Sequence, residues 1–182
     1  MAQRSTVYKA ELGVADMDRG HYADYALTIA RHPSETEERM MVRLAAFALH
    51  AHEALAFGRG LSTEDEADLW QKDLTGVIEL WIDVGLPDER RVRKACGRAR
   101  RVVVLAYGGQ KADLWWAQNA DALARCANLA VVAMPPQASA ELAALAQRSM
   151  ALSCTVQDGH VWIGSDTGGA SFELRRLKDA AA

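Results

Sequence analysis

The residues best suited to chemistry lie in the string GVIELWIDVG, residues 76–85. Glu79 and Asp83 flank Trp81 there. Side chains alternate in an extended strand, so Val77, Glu79, Trp81, Asp83 and Gly85 share one face. Ile78, Leu80, Ile82 and Val84 share the other, which is wholly apolar and predicts core. Two carboxylates fixed on a rigid element are the oxygen donors that a hard cation such as magnesium takes. The same pattern also suits a half-exposed strand with a wet face.

Two further acids stand out. In ETEERMMVRLAAFALH a helix advances about 100° per residue, which puts Glu38 between Val42 and Ala45, inside the apolar arc. Glu35 and Arg39 fall outside it. An acid on a core-facing stripe must be paired, coordinated or neutralised, unless it is an exposed first-turn acid gaining from the helix dipole. STEDEADLWQK carries Glu64, Asp65, Glu66 and Asp68. Most such acids are solvated, but Asp68 directly precedes Leu-Trp, where a strand can begin.

Cations follow at once. Residues 90–101 hold seven basic residues and no acid. On a helix, Val92, Ala95, Cys96 and Ala99 form the core face, and Arg91, Lys94 and Arg98 form a stripe beside it. That stripe is either a solvated face or a source of cations beside Asp83 for phosphate. His50 and His52 are two apart and share no helical face, so zinc is not expected. GGQKAD and DTGG lack the context of a phosphate-binding loop. No serine or cysteine stands in a nucleophile motif.

These residues need elements to hold them. TVYKAEL and YALTIA predict a hairpin across ADMDRG. Ser34 with Glu37 reads as a capping box opening a helix whose apolar face is Met41, Leu44, Ala45, Ala48 and Leu49. A polar connector with Gly58 and Gly60 leads to a strand over 77–84. Pro87, Asp88 and Glu89 open a helix running to about Arg100. VVVLAY and NLAVVAM are buried strands, separated by a helix over QKADLWWAQNADALARCA and followed by a short helix over SAELAALAQ. MALSCTVQDGHVWIGS is a hairpin turning at Asp-Gly. The fold class is mixed α/β (α+β), with one sheet, flanking helices and hairpins at both ends.

The chain is 182 residues long, which predicts one domain over 1–182. No run of about 18 apolar residues exists, so no membrane span is expected. MAQRSTVYKAEL lacks the apolar segment of a secretory signal, which makes the cytoplasm the expected compartment. Cys96, Cys126 and Cys154 read as reduced core thiols. A net charge of −3 and a pI near 6.0 argue against nucleic-acid binding by bulk charge, while leaving a local basic patch open.

TIARHPSETEERMMVRL and LWIDVGLPDERRVRKAC resemble the signature strings of the bacterial YaeQ family, and the likeness extends over nearly the whole chain. The resemblance implies a variation of the PD-(D/E)XK nuclease core. In that pattern Glu38 is the helix acid, and Ala67-Asp68 stands where Pro-Asp would be. Ile82-Asp83-Val84-Gly85 stands where acid-x-lysine would be. Glycine replaces the lysine that normally orients water and stabilises charge at the phosphate. Some members of the wider superfamily supply that cation from the following helix instead, which makes Lys94 the first candidate and Arg91 the second. Arginine stays protonated, so it suits a phosphate clamp and not a base.

Two functions follow from this reading. One is a nuclease or phosphodiesterase dependent on magnesium, or manganese in its place. Glu38, Asp68 and Asp83 would be metal ligands, Lys94 catalytic, and Glu79 and Arg91 supporting. The other is a non-catalytic descendant that binds DNA, RNA or a protein through the same cleft.

Overall fold

The computed structural model describes residues 4–59 and 65–182; Gly60 and Glu64 lie outside the described residues. The elements run β1 (Thr6–Asp16), β2 (His21–Arg31), α1 (Glu37–Leu49), β3 (Leu55–Phe57), β4 (Leu69–Lys72), β5 (Ile78–Val84), α2 (Glu89–Arg98) and β6 (Ala99–Ala106). They continue with α3 (Gln110–Leu123), β7 (Leu129–Ala133), α4 (Pro136–Ala144), β8 (Ser149–Gln157), β9 (His160–Ser165), β10 (Gly168–Glu173) and β11 (Arg175–Lys178).

The strands form two sheets rather than the single one expected. One has the order β10-β9-β8-β1-β2, the other β11-β7-β6-β5-β4-β3. The cause is a long-range pairing: β8 lies parallel to β1, from Lys9 opposite Ser149 to Asp16 opposite Val156. This joins the two terminal hairpins into a sheet of their own. The second hairpin turns at Asp158 and Gly159, both with positive φ, as a two-residue turn requires.

α1 is buried between the sheets. Every residue from Met40 to Ala48 is buried, so the helix is enclosed all round and not on one stripe. One core cluster joins α1 to inner-face residues of both sheets, including Leu12, Ile163, Ile82 and Val103. A second cluster packs α2 and α3 on the far face of the six-stranded sheet, through Trp81, Val92, Val104 and Trp115. β5, β6 and β7 are parallel, covered on both faces, and accordingly rich in valine and isoleucine. No helix among the described residues is long and apolar enough to cross a membrane.

Three local features differ from the sequence reading. The cap of α1 is Thr36, whose Oγ1 accepts from the Arg39 amide at 3.1 Å. Ser34 Oγ instead pairs with His32 Nδ1 at 2.7 Å, so no Ser34–Glu37 box forms. The connector after α1 contains β3 and β4. α2 stops at Arg98 and β6 begins at Ala99 with no loop between.

Candidate functional site

A cleft of about 640 Å³ opens at the carboxyl ends of β5 and β6, where open α/β sheets commonly receive ligands. Glu38, Asp68, Asp83 and Arg91 all line it, together with Arg39, Gly85, Tyr107, Gly108 and Lys111. Four of the sequence candidates therefore share one space.

Each acid arrives by a different local device. Glu38 is in the first turn of α1 and half-buried. Asp68 immediately precedes β4, which pairs antiparallel with β5. Its carboxylate accepts from the Val84 amide at 2.8 Å, while its own amide donates to Asp83 Oδ1 at 3.3 Å. These two bonds fasten Asp68 and Asp83 side by side. Asp83 is 1% exposed, as is Trp81. The outer face of β5 is thus packed under α2 and is not the wet face of a half-exposed strand.

The carboxylates are occupied. Arg39 Nη2 stands 2.9 Å from both oxygens of Asp68, and its Nη1 donates to Glu35 at 3.0 Å. Arg91 grips Asp83 through Nε at 2.8 Å and Nη2 at 2.9 Å. Arg43 closes the row behind them, donating to both oxygens of buried Glu35 at 2.7 and 2.8 Å. Burial works against the charge on Arg39 and Arg91, but the facing carboxylates outweigh it, and both guanidiniums are held more firmly protonated than usual. The result is an alternating row of charges in which every buried ion has an opposite neighbour, as burial demands.

This arrangement does not fit a resident magnesium ion. Among the described residues, no three acids, histidines or cysteines are grouped to hold a metal. The oxygens of Asp68 and Asp83 that would face it are turned to arginine and backbone N–H donors. Glu38 alone has no hydrogen-bond or ion-pair partner among the described residues.

Lys94 and Glu79 lie elsewhere. Lys94 Nζ pairs with Asp65 at 2.5 Å, and Glu79 pairs with Arg100 at 3.2 Å. The register between β4 and β5 shifts between Gln71 and Lys72, so Lys72 partners Ile78 and Gln71 partners Leu80. That irregularity skips Glu79 and breaks the alternation. Ile78 joins Trp81 in the outer cluster, and Glu79 does not share a site with Asp83. The α2 stripe proves to be a strap. Lys94 binds the Asp65 carboxylate, Arg98 donates to the Asp65 carbonyl and Arg91 to the Glu66 carbonyl, the last two at 2.7 Å. Together they hold the segment that delivers Asp68.

The cation that enters the cleft from a following element is Lys111. It lies in the first turn of α3 and is exposed; its ammonium has no hydrogen-bond or ion-pair partner among the described residues, while its backbone N–H donates to the Gly108 carbonyl at 3.3 Å. Among the described residues no side chain caps α3, whose N-terminus follows Gly108 and Gly109, with φ of 115° and 63°. Strand, paired glycines and helix follow in the order that, in general, turns backbone N–H groups outward at a helix start. GGQK was its signal, hidden because the sequence lacks the longer phosphate-loop motif. Glu35, Arg39 and Arg43 were also missed, because their pairing depends on how the chain enters α1. Burial, opposed by Arg39 and reinforced by Glu38 and Glu35, raises the Tyr107 phenol above its ordinary value. It remains a neutral hydrogen-bond donor.

Fold and site together define an α+β protein of two mixed sheets with an acid–arginine cleft at the ends of its parallel strands. The chain belongs to the YaeQ family, whose pattern it matches over residues 1–174. It is 46% identical to the YaeQ protein of Salmonella typhi and 44% identical to that of Escherichia coli K12, each over 96% of both chains. The crystal structure of YaeQ from Xanthomonas axonopodis pv. citri superposes with a TM-score of 0.93 at 51% identity, covering 98% of this chain and 99% of that one. The Pseudomonas syringae YaeQ structure gives 0.91 at 40% identity, covering 96% and 97%.

Proposed function

We propose that the cleft binds phosphate groups of DNA or RNA, in a variant of the PD-(D/E)XK architecture whose acid pair is locked by arginine. The observation that supports this most is the position of Lys111. An ammonium without a partner among the described residues stands at an uncapped helix N-terminus, in the cleft where arginine already neutralises Asp68 and Asp83. The Lys111 ammonium and the positive end of the α3 dipole attract the phosphate. Tyr107 donates to its oxygens. Asp68 and Asp83 keep Arg39 and Arg91 extended along the cleft wall, so the acids act as positioning residues for the cations. With a net charge of −3, binding is local and modest, not a bulk electrostatic attraction.

A second reading, magnesium- or manganese-dependent hydrolysis of the phosphodiester, is favoured by one observation. Glu38 presents a carboxylate to the same cleft as Asp68 and Asp83. It requires both arginines to leave their acids, and opening a buried pair typically costs several kcal/mol. The two readings separate in one titration. Labelled oligonucleotides are added in a chelator and again with magnesium or manganese. Salt-sensitive binding in the chelator without cleavage in metal supports the phosphate cleft. Binding and cleavage that both demand metal overturn it in favour of hydrolysis.

A further inference from the structure

We infer that a second site, distinct from the acid–arginine cleft, binds a small amphipathic anion: an acidic head on a short apolar body. A cavity of about 660 Å³ opens between the inner faces of the two sheets, within the size range of small-molecule pockets. It lies at the amino ends of β6 and β7, whereas the first cleft lies at the carboxyl end of β6.

Its floor is apolar. Val103 and Val132 come from the six-stranded sheet, and Val156 and Val161 from the five-stranded one. These residues belong to or pack against the core between the sheets. Core-facing register would continue outward with more apolar residues. Two arginines stand there instead. Arg101 is two residues before Val103 on β6, so it shares the face of Val103. Arg176 is the register partner of Val132 across β7 and β11, so it shares that residue's face.

Both arginines line the cavity, both are exposed, and neither has a hydrogen-bond or ion-pair partner among the described residues. Arg100 also lines it but is paired with Glu79 at 3.2 Å. An inward charge can protect a sheet edge, and that would account for Arg176 on edge strand β11. It does not account for Arg101, because β6 is flanked by β5 and β7. Two unpaired guanidiniums at the mouth of an apolar cavity match a carboxylate or phosphate head, which each can hold by a two-pronged bond. Asp179 and His50 complete the polar rim. Burial first, then the positive charge of Arg101, lowers the His50 pKa to about 4, so that residue stays neutral and leaves the rim's net charge positive.

Octanoate, octyl phosphate and octanol are the probes, titrated by calorimetry into the full chain. Octanoate or octyl phosphate binds saturably, and octanol, with the same body and no charge, binds about 10-fold more weakly, the scale of a lost charge-assisted bond. The double variant Arg101→Ala/Arg176→Ala loses about that factor for the anions and none for octanol. Ala130 lies on β7 and also lines the cavity; a second variant, Ala130→Phe, fills the floor and weakens all three, while an unchanged melting curve and unchanged oligonucleotide binding show that fold and first cleft are intact. If neither anion binds saturably, if octanol binds as tightly, or if the double variant binds the anions unchanged, the inference is overturned. Preference between the two anions identifies the head.

Discussion

Arg39 and Asp68 meet across 29 positions of sequence, with one guanidinium nitrogen 2.9 Å from both carboxylate oxygens. Their side chains are 19% and 11% exposed, so little water shares the contact. Removing one partner leaves the other charge stranded, while removing both does not. Arg39→Met and Asp68→Asn are therefore each expected to cost about 3 kcal/mol, and the double variant less than their sum. Urea denaturation of the four proteins measures the coupling. Strictly additive losses would mean that the pair is not a unit.

Lys94 and Lys111 carry the same charge on successive helices and are expected to behave oppositely. Lys94→Ala breaks an exposed pair with Asp65, while Arg91 and Arg98 still hold the carbonyls of residues 65 and 66, so neither oligonucleotide affinity nor melting temperature should move measurably. Lys111→Ala leaves stability within about 0.5 kcal/mol and weakens oligonucleotide binding. Anisotropy titrations on both variants decide the matter; equal losses of affinity would remove the distinction between the two lysines.

Gly85 is held at φ +94°. A Cβ there would find Tyr107 Cε1 at 3.8 Å, an ordinary contact, so space is not the obstacle. The backbone is, since a non-glycine residue in this region costs of order 1–3 kcal/mol. Gly85→Lys, which restores the acid-x-lysine string, is expected to lower stability by that amount and to generate no nuclease activity. Full stability together with new cleavage would contradict this.

His50 sets an acid-side dependence. Its value in the folded chain is about 4, against an ordinary 6.5. As pH falls below about 6.5 the unfolded chain takes up the proton first, so stability declines from there down to about 4 and then levels for this group. His50→Gln should flatten that part of the melting-temperature profile. Parallel profiles for variant and wild type would show that His50 does not contribute.

The sequence made local structure readable where one segment sufficed. Asp158-Gly159 announced its hairpin, and VVVLA announced a doubly covered strand. What stayed hidden was whatever depended on two distant segments. The pairing of β1 with β8 split the expected sheet in two. The register shift that skips Glu79 arises between strands and has no mark in the string IELWID. The basic stripe on α2 was legible as a stripe, but its task of holding residues 65 and 66 was not. Lys111 was passed over because its glycines form no recognised loop, although strand, Gly-Gly and helix were all present in order.

Lys111 and the terminus of α3, on the function proposed above, bind phosphate without a metal. The most direct measurement is the salt dependence of oligonucleotide affinity in a chelator, for wild type and Lys111→Ala. Each neutralised phosphate contributes about 0.9 to the slope of log affinity against log salt on duplex DNA. Wild type is expected to bind in the chelator, and the slope is expected to be smaller by about 1 in the variant. Identical slopes, or no binding until magnesium is added, would contradict it.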